Sequence, residues 1–137
     1  MKKHLFALLG LGLLLAIAPA YAQTINLKAD VPFDFVVNGS TLPSGEYIIR
    51  STNSSGRVLS LSGAAEGPMF FVANSCRSTK ASAQTKLVFI HDRDGYFLSE
   101  MWVEGNTSGI QLPKGRRARQ VADNMTSEQV VVLAELR

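Results

Sequence analysis

Two apolar runs, KLVFIH over residues 86–91 and YFLSEMWV over 96–103, stand on either side of Asp92, Arg93, Asp94 and Gly95. No other feature restricts the fold as strongly. An Asp-Gly pair between apolar runs signals a β-hairpin, because glycine accepts the positive φ of a tight turn without the steric penalty a Cβ imposes. The two runs are expected to be antiparallel neighbours, and the rest of the chain must cover that ribbon, since an isolated hairpin is at best marginally stable.

The remaining chain repeats the same period of two. Ile25, Leu27, Ala29 and Val31 alternate with polar residues until Pro32 interrupts them, and Phe33, Phe35 and Val37 resume the pattern, as expected where a chain kinks or crosses to a second sheet. Asn38 and Gly39 begin a turn. Tyr47 and Ile49 share one face of the run 46–51, with Glu46, Ile48 and Arg50 on the other. After the turn signal at 53–56, Leu59 and Leu61 alternate with serines and form a hairpin with that run. Residues 69–74 read as a short apolar strand, 75–83 as a polar loop, 105–109 as a loop and 113–123 as one short helix. Residues 129–136 are ambiguous: Thr126 with Gln129 resembles a capping box, but three consecutive valines favour a closing strand. The pattern predicts an all-β domain, a single β-sandwich or small β-barrel of about seven or eight strands with at most one short helix. In LPSGEY, residues 42–47, Pro43 fixes φ before a corner and Gly45 supplies backbone freedom after it, so the phrase specifies fold.

Lys2 and Lys3 precede an apolar run over residues 5–18 and the triplet Ala20, Tyr21, Ala22, the form of a secretory signal peptide cleaved after Ala22. The apolar run is shorter than the roughly 20 residues a spanning helix needs. The division is therefore 1–22 signal peptide and 23–137 one β-rich domain, bound for the periplasm or secretion, with no membrane span after cleavage. Loss of Lys2 and Lys3 lowers the formal charge from +3 to +1, which gives no argument for nucleic acid. With Cys76 as the only cysteine, no internal disulfide forms and stability rests on packing. The four N-x-S/T sequons, at Asn38, Asn53, Asn106 and Asn124, mark turns and loops.

Candidate chemistry is sparse. His91 is the sole histidine after signal removal and shares a strand face with Leu87 and Phe89, which makes it structural before it is a base for Cys76 or a serine. One His and one Cys do not make a zinc site, and the loop Asp92-Arg93-Asp94-Gly95 lacks the later ligands of a calcium loop, so neither metal nor cofactor is expected. Glycoside hydrolysis uses two carboxyl groups across a cleft. Alternation puts Glu100 and Glu104 on one strand face with Trp102 between them, a set that can stack against and hydrogen-bond a sugar, although an outer sheet face with one partly covered aromatic is the plainer reading. Lys114, Arg116, Arg117 and Arg119 form a basic run that suits phosphate or carboxylate groups of envelope glycans or lipids, or simply a solvated helix face. No aromatic is interleaved with them, which disfavours single-stranded nucleic acid.

The blocks PFDFVVNGSTLPSGEY from Pro32, KLVFIHDRDGYFLSEMW from Lys86 and LPKGRR from Leu112 resemble, with the signal peptide, a family of small exported bacterial β-rich proteins of unknown function. The likeness covers most of the mature chain. It implies an exported β-rich domain and transfers no activity, cofactor or catalytic residue. The expectation is a non-enzymatic binding or structural protein of the bacterial envelope, contacting an envelope component or another protein through the Trp102 face and the basic run. The alternatives are a small sugar or peptide hydrolase using Glu100, Glu104 or His91, and a barrel carrier of an apolar ligand. Oligomeric state and the state of Cys76 are not read from the sequence.

Overall fold

The computed structural model describes residues 25–53, 57–64, 67–113 and 127–137. The expected signal peptide, the basic run and all but the first residue of the expected short helix lie outside these residues. The described chain forms β1 (Asn26–Val31), β2 (Phe35–Val37), β3 (Ser40–Leu42), β4 (Gly45–Ser51), β5 (Val58–Gly63), β6 (Met69–Val72), β7 (Asn74–Arg77), β8 (Lys86–Asp92), β9 (Gly95–Trp102), β10 (Ser108–Gln111) and β11 (Glu128–Leu136).

These strands make one sheet in the order β3-β2-β9-β8-β11-β1-β4-β5-β6, with β10 against β9 and β7 against β10. The sheet curls into a half-barrel, an all-β architecture of the sandwich or small-barrel type. Only Ala73 separates β6, which pairs with β5, from β7, which pairs with β10, so one run links the far edge of the sheet back toward β9. Every pairing is antiparallel except β2 with β9.

The hairpin of β8 and β9 forms as the sequence predicts, with Asp92 opposite Gly95 and Gly95 at φ 128°. Its turn is tightened by Asp92, whose Oδ1 accepts the Asp94 N–H at 2.8 Å. Asn38 and Gly39, at φ 50° and 80°, close the β2–β3 hairpin in the doubly positive geometry that such two-residue loops favour. The ambiguous C-terminal run is a strand, and β11 is internal to the sheet, paired with β8 on one side and β1 on the other.

Among the described residues there are eleven strands where about seven or eight were expected, the additions being β3, β7 and β10. Each has three or four residues, too few to show a period of two. Sequence pattern alone places Asn74 at the end of an apolar strand, 75–77 in a polar loop and 108–109 in a loop. Their pairing with each other, Cys76 opposite Gly109, is a long-range contact that local pattern does not carry.

Pro32 marks a crossing: β1 lies between β11 and β4, while β2 lies between β9 and β3. The return crossing is LPSGEY, which takes the chain from β3 to β4. There the Ser44 N–H donates to Asp34 Oδ1 at 2.9 Å and the Tyr47 hydroxyl donates to the Pro43 carbonyl. Asp34 of the PFDF block thus pins the corner made ten residues later.

The core lies on the concave side. Leu27, Ile49, Leu59, Leu87 and Met101 are buried there, with Phe35 and Phe89 at its centre. Phe35 meets Tyr47 and Phe89 edge to face at 5.0 and 5.4 Å, and Phe33 meets Phe89 the same way at 5.0 Å. Side chains of this size contribute about 1.5–3 kcal/mol each on full burial, so the core suffices without a disulfide.

Candidate binding groove

The convex face of β8, β9 and β11 is not flat. A β-bulge sits at Ser99, because Val88 pairs with Glu100 while Phe89 pairs with Leu98. Without the bulge, Leu98, Glu100 and Trp102 would share one face. With it, Leu98 and Met101 turn into the core, and Glu100 and Trp102 turn outward.

Outward residues then align by register. Trp102 stands opposite Lys86, and Glu100 opposite Val88, which in turn faces Val131 on β11. Together with Gln129 they floor a groove of about 330 Å³. Its wall is the loop 78–83, contributing Ser78, Lys80 and Ser82 among others. Val88 is only 5% exposed although it is on the outer side of the sheet, consistent with this cover.

The wall is anchored at both ends by backbone hydrogen bonds to the turn that follows β9. Ser78 N–H donates to the Thr107 carbonyl at 2.8 Å, Ser82 N–H to the Asn106 carbonyl at 3.0 Å, and Gly105 N–H to the Ser82 carbonyl at 2.9 Å. Thr85, buried at the foot of the loop, accepts the Glu104 N–H on Oγ1 at 3.1 Å. The polar composition of 75–83 gave no sign of this, since the partners lie some twenty-five residues away.

Trp102 is held in place twice. Its Nε1–H donates to Glu100 Oε2 at 2.8 Å. Its six-membered ring lies over Gly109, its partner on β10, where a Cβ would come within 2.7 Å of Cδ2 and Cε3. Only glycine leaves room for the indole to lie across β10.

Cys76 sits opposite Gly109, half-buried and free. Burial raises its thiol above the ordinary value, the Glu100 carboxylate raises it further, and a hydrogen bond to the Gly109 backbone opposes both. The thiol is therefore less ionised at neutral pH than an exposed cysteine, which makes it a poor nucleophile.

Of the sequence-nominated residues, the structure brings Glu100 and Trp102 together and leaves Glu104 outside. The strand ends at Trp102, and Glu104 and Gly105, with φ 82° at the glycine, form an exposed turn. The alternation that placed Glu104 beside Glu100 does not continue that far. Glu100 is the one carboxylate among the described groove residues, so the groove lacks the paired carboxyl groups of a glycosidase. Lys114, Arg116, Arg117 and Arg119 lie outside the described residues. Lys80 and Lys86 were not singled out by sequence, because a lysine in a polar loop and another at a strand start look like ordinary surface residues.

His91 is elsewhere. It faces Tyr96, ring to ring at 4.1 Å, and Tyr96 stacks on Phe33 at 3.7 Å. Trp102, in the same row as Cys76 and Gly109, aligns with Lys86, five residues along β8 from His91, or about 17 Å at 3.4 Å per residue. No Cys-His dyad is formed. Among the described residues no three His, Cys, Asp or Glu side chains gather as a metal site, and no helix is long and apolar enough to cross a membrane.

In comparisons with protein-family models, curated proteins and solved structures, no match was found for the chain.

Proposed function

We propose that the protein is an exported, non-enzymatic β-domain of the bacterial envelope that binds a partner or ligand in the groove bordered by Trp102. The observation that carries this reading is the fixed indole: a large aromatic is kept on the convex face, over a glycine, beside an anchored polar loop, instead of being packed into the core. Binding sites combine apolar contact with a few convergent polar groups on a rigid frame, and this groove has both. Among the described residues it has one carboxylate, which accepts the indole N–H, and a lone carboxylate favours holding over cleaving. The N-terminal pattern of Lys2, Lys3, a short apolar run and Ala20-Tyr21-Ala22 supports delivery outside the cytoplasm.

Trp102 is the chain's only tryptophan, so its fluorescence reports this groove alone. An envelope fraction from the producing cell is expected to shift its emission. The same fraction should be retained by immobilised wild-type protein and lost by Trp102→Ala, once far-UV circular dichroism shows the variant folded. Equal retention by both would remove the groove from the function. Intact mass of the exported protein is expected to correspond to a chain beginning at Gln23.

A further inference from the structure

We infer that the groove takes a carboxylate-bearing sugar unit of a glycan, an inference that rests on the binding reading above. Charge is the first reason. Lys80 and Lys86 both line the groove, and neither forms an ion pair with another described residue, whereas Glu100 is engaged by the Trp102 Nε1–H. Among the described residues the groove therefore carries two cations without an ion-pair partner against one carboxylate, a net positive balance that favours an anionic ligand.

The polar groups beside the indole favour a sugar over a simple anion. Trp102 supplies aromatic carbon against which the apolar face of a pyranose ring can rest. Ser78 Oγ already accepts the Lys80 N–H and Ser82 Oγ already donates to the Gln84 carbonyl, which leaves the first hydroxyl free to donate and the second free to accept. Gln129 adds an amide with both capacities. Hydroxyl-rich ligands use such mixed donors and acceptors.

An extended peptide fits less well. Peptides that add to sheets do so through free backbone edges. The floor strands have none to give: β8 lies between β9 and β11, β11 between β8 and β1, and β9 between β8 and the pair β2 and β10. The floor therefore presents side chains, not a free backbone edge, to a ligand. At about 330 Å³ the groove is also in the range of small-molecule sites, which begin at about 300 Å³.

The test is calorimetric titration of the purified protein with trigalacturonate, with its carboxyl-reduced counterpart galactotriose, and with tetraglutamate, alongside Trp102 emission. Trigalacturonate is expected to bind and shift the emission, and galactotriose to bind at least about tenfold more weakly. Lys80→Gln, at an exposed site, and Lys86→Gln, at a half-buried one, should each weaken trigalacturonate by roughly two- to fivefold, as loss of a partly exposed charge contact does. The loss should fade as salt screens the charges. Equal binding of galactotriose, equal binding of tetraglutamate, or indifference to both lysine substitutions would overturn the ligand class. If trigalacturonate fails while the envelope fraction still shifts Trp102 emission, the sugar-acid inference falls and the groove stands. If neither shifts it, both fall.

Discussion

At Gly109 the sheet has no room for even a methyl group, because the Trp102 ring occupies that space. Gly109→Ala must therefore displace the indole or the strand. It is expected to cost about 1–3 kcal/mol, as overpacking does, and to change the Trp102 emission maximum in the native state, both read from a urea titration followed by fluorescence. Cys76, across the ladder from Gly109, gives a second prediction. Its thiol is raised by burial and then by Glu100, so the half-maximal rate of iodoacetamide alkylation should lie at higher pH in the folded protein than in the unfolded chain. Glu100→Gln should lower that midpoint without restoring it to the unfolded value, since burial is the larger cause. The sign for stability follows. A fold that raises an acid's pKa favours its neutral form, so the contribution is full below the ordinary thiol value and is lost as pH rises through the raised one. Cys76→Ser should flatten the alkaline part of the stability profile. A midpoint unchanged by Glu100→Gln would show that the carboxylate does not act on the thiol.

Among the elements, the corner between β3 and β4 shows how local sequence and distant contacts divide the work. LPSGEY contains the reasons for a corner in Pro43 and Gly45, and the period of two on its far side assigned Tyr47 and Ile49 to the core, where both are buried. It does not contain Asp34, whose carboxylate holds the Ser44 N–H. Asp34→Ala is expected to cost about 0.5–1.5 kcal/mol in a urea titration, near the low end because the bond is exposed. Tyr47→Phe, which keeps the ring and removes the part-buried hydroxyl from Pro43, should cost about 1 kcal/mol or somewhat more. If Asp34→Ala were neutral, the PFDF block would not position the corner. The same division decided what else could be read. Longer strands with alternating burial, such as β1, β4 and β5, were legible because their buried residues recur at every second position. β7, with the sequence NSCR, and β10, with SGIQ, are strands only through each other. The groove was half legible for the same reason: Glu100 and Trp102 lie in one strand, but the bulge at Ser99 that aims them outward and the loop 78–83 that walls them in depend on register and on backbone bonds across the chain. Glu104 was misplaced because alternation has no means of announcing where a strand stops.

For the molecule as a whole, the run from β6 through Ala73 to β7 has the widest consequence. Ala73 is 1% exposed, and its N–H donates to the Arg57 carbonyl at 2.8 Å, so it belongs to the core and to the ladder at the point where the chain leaves one edge for another. Beyond it, β7 carries β10, and β10 carries the Gly109 on which Trp102 lies. The groove is thus tied to the opposite side of the sheet both through the continuous path β9-β8-β11-β1-β4-β5 and through this single residue. A sheet connected in this way is expected to unfold as one unit. Far-UV circular dichroism, which samples every strand, and Trp102 fluorescence, which samples only the groove, should give the same urea midpoint. Ala73→Leu adds three carbons to a site without exposure and should cost about 1–3 kcal/mol. At the usual m-value for a domain of this size the shared midpoint moves down by about 1 M urea. Two midpoints that separate in this variant, with the fluorescence transition left in place, would mean that the groove half holds its fold without the link. A common shift would mean that the indole depends on a contact made at the far edge, and that the groove is a property of the whole sheet.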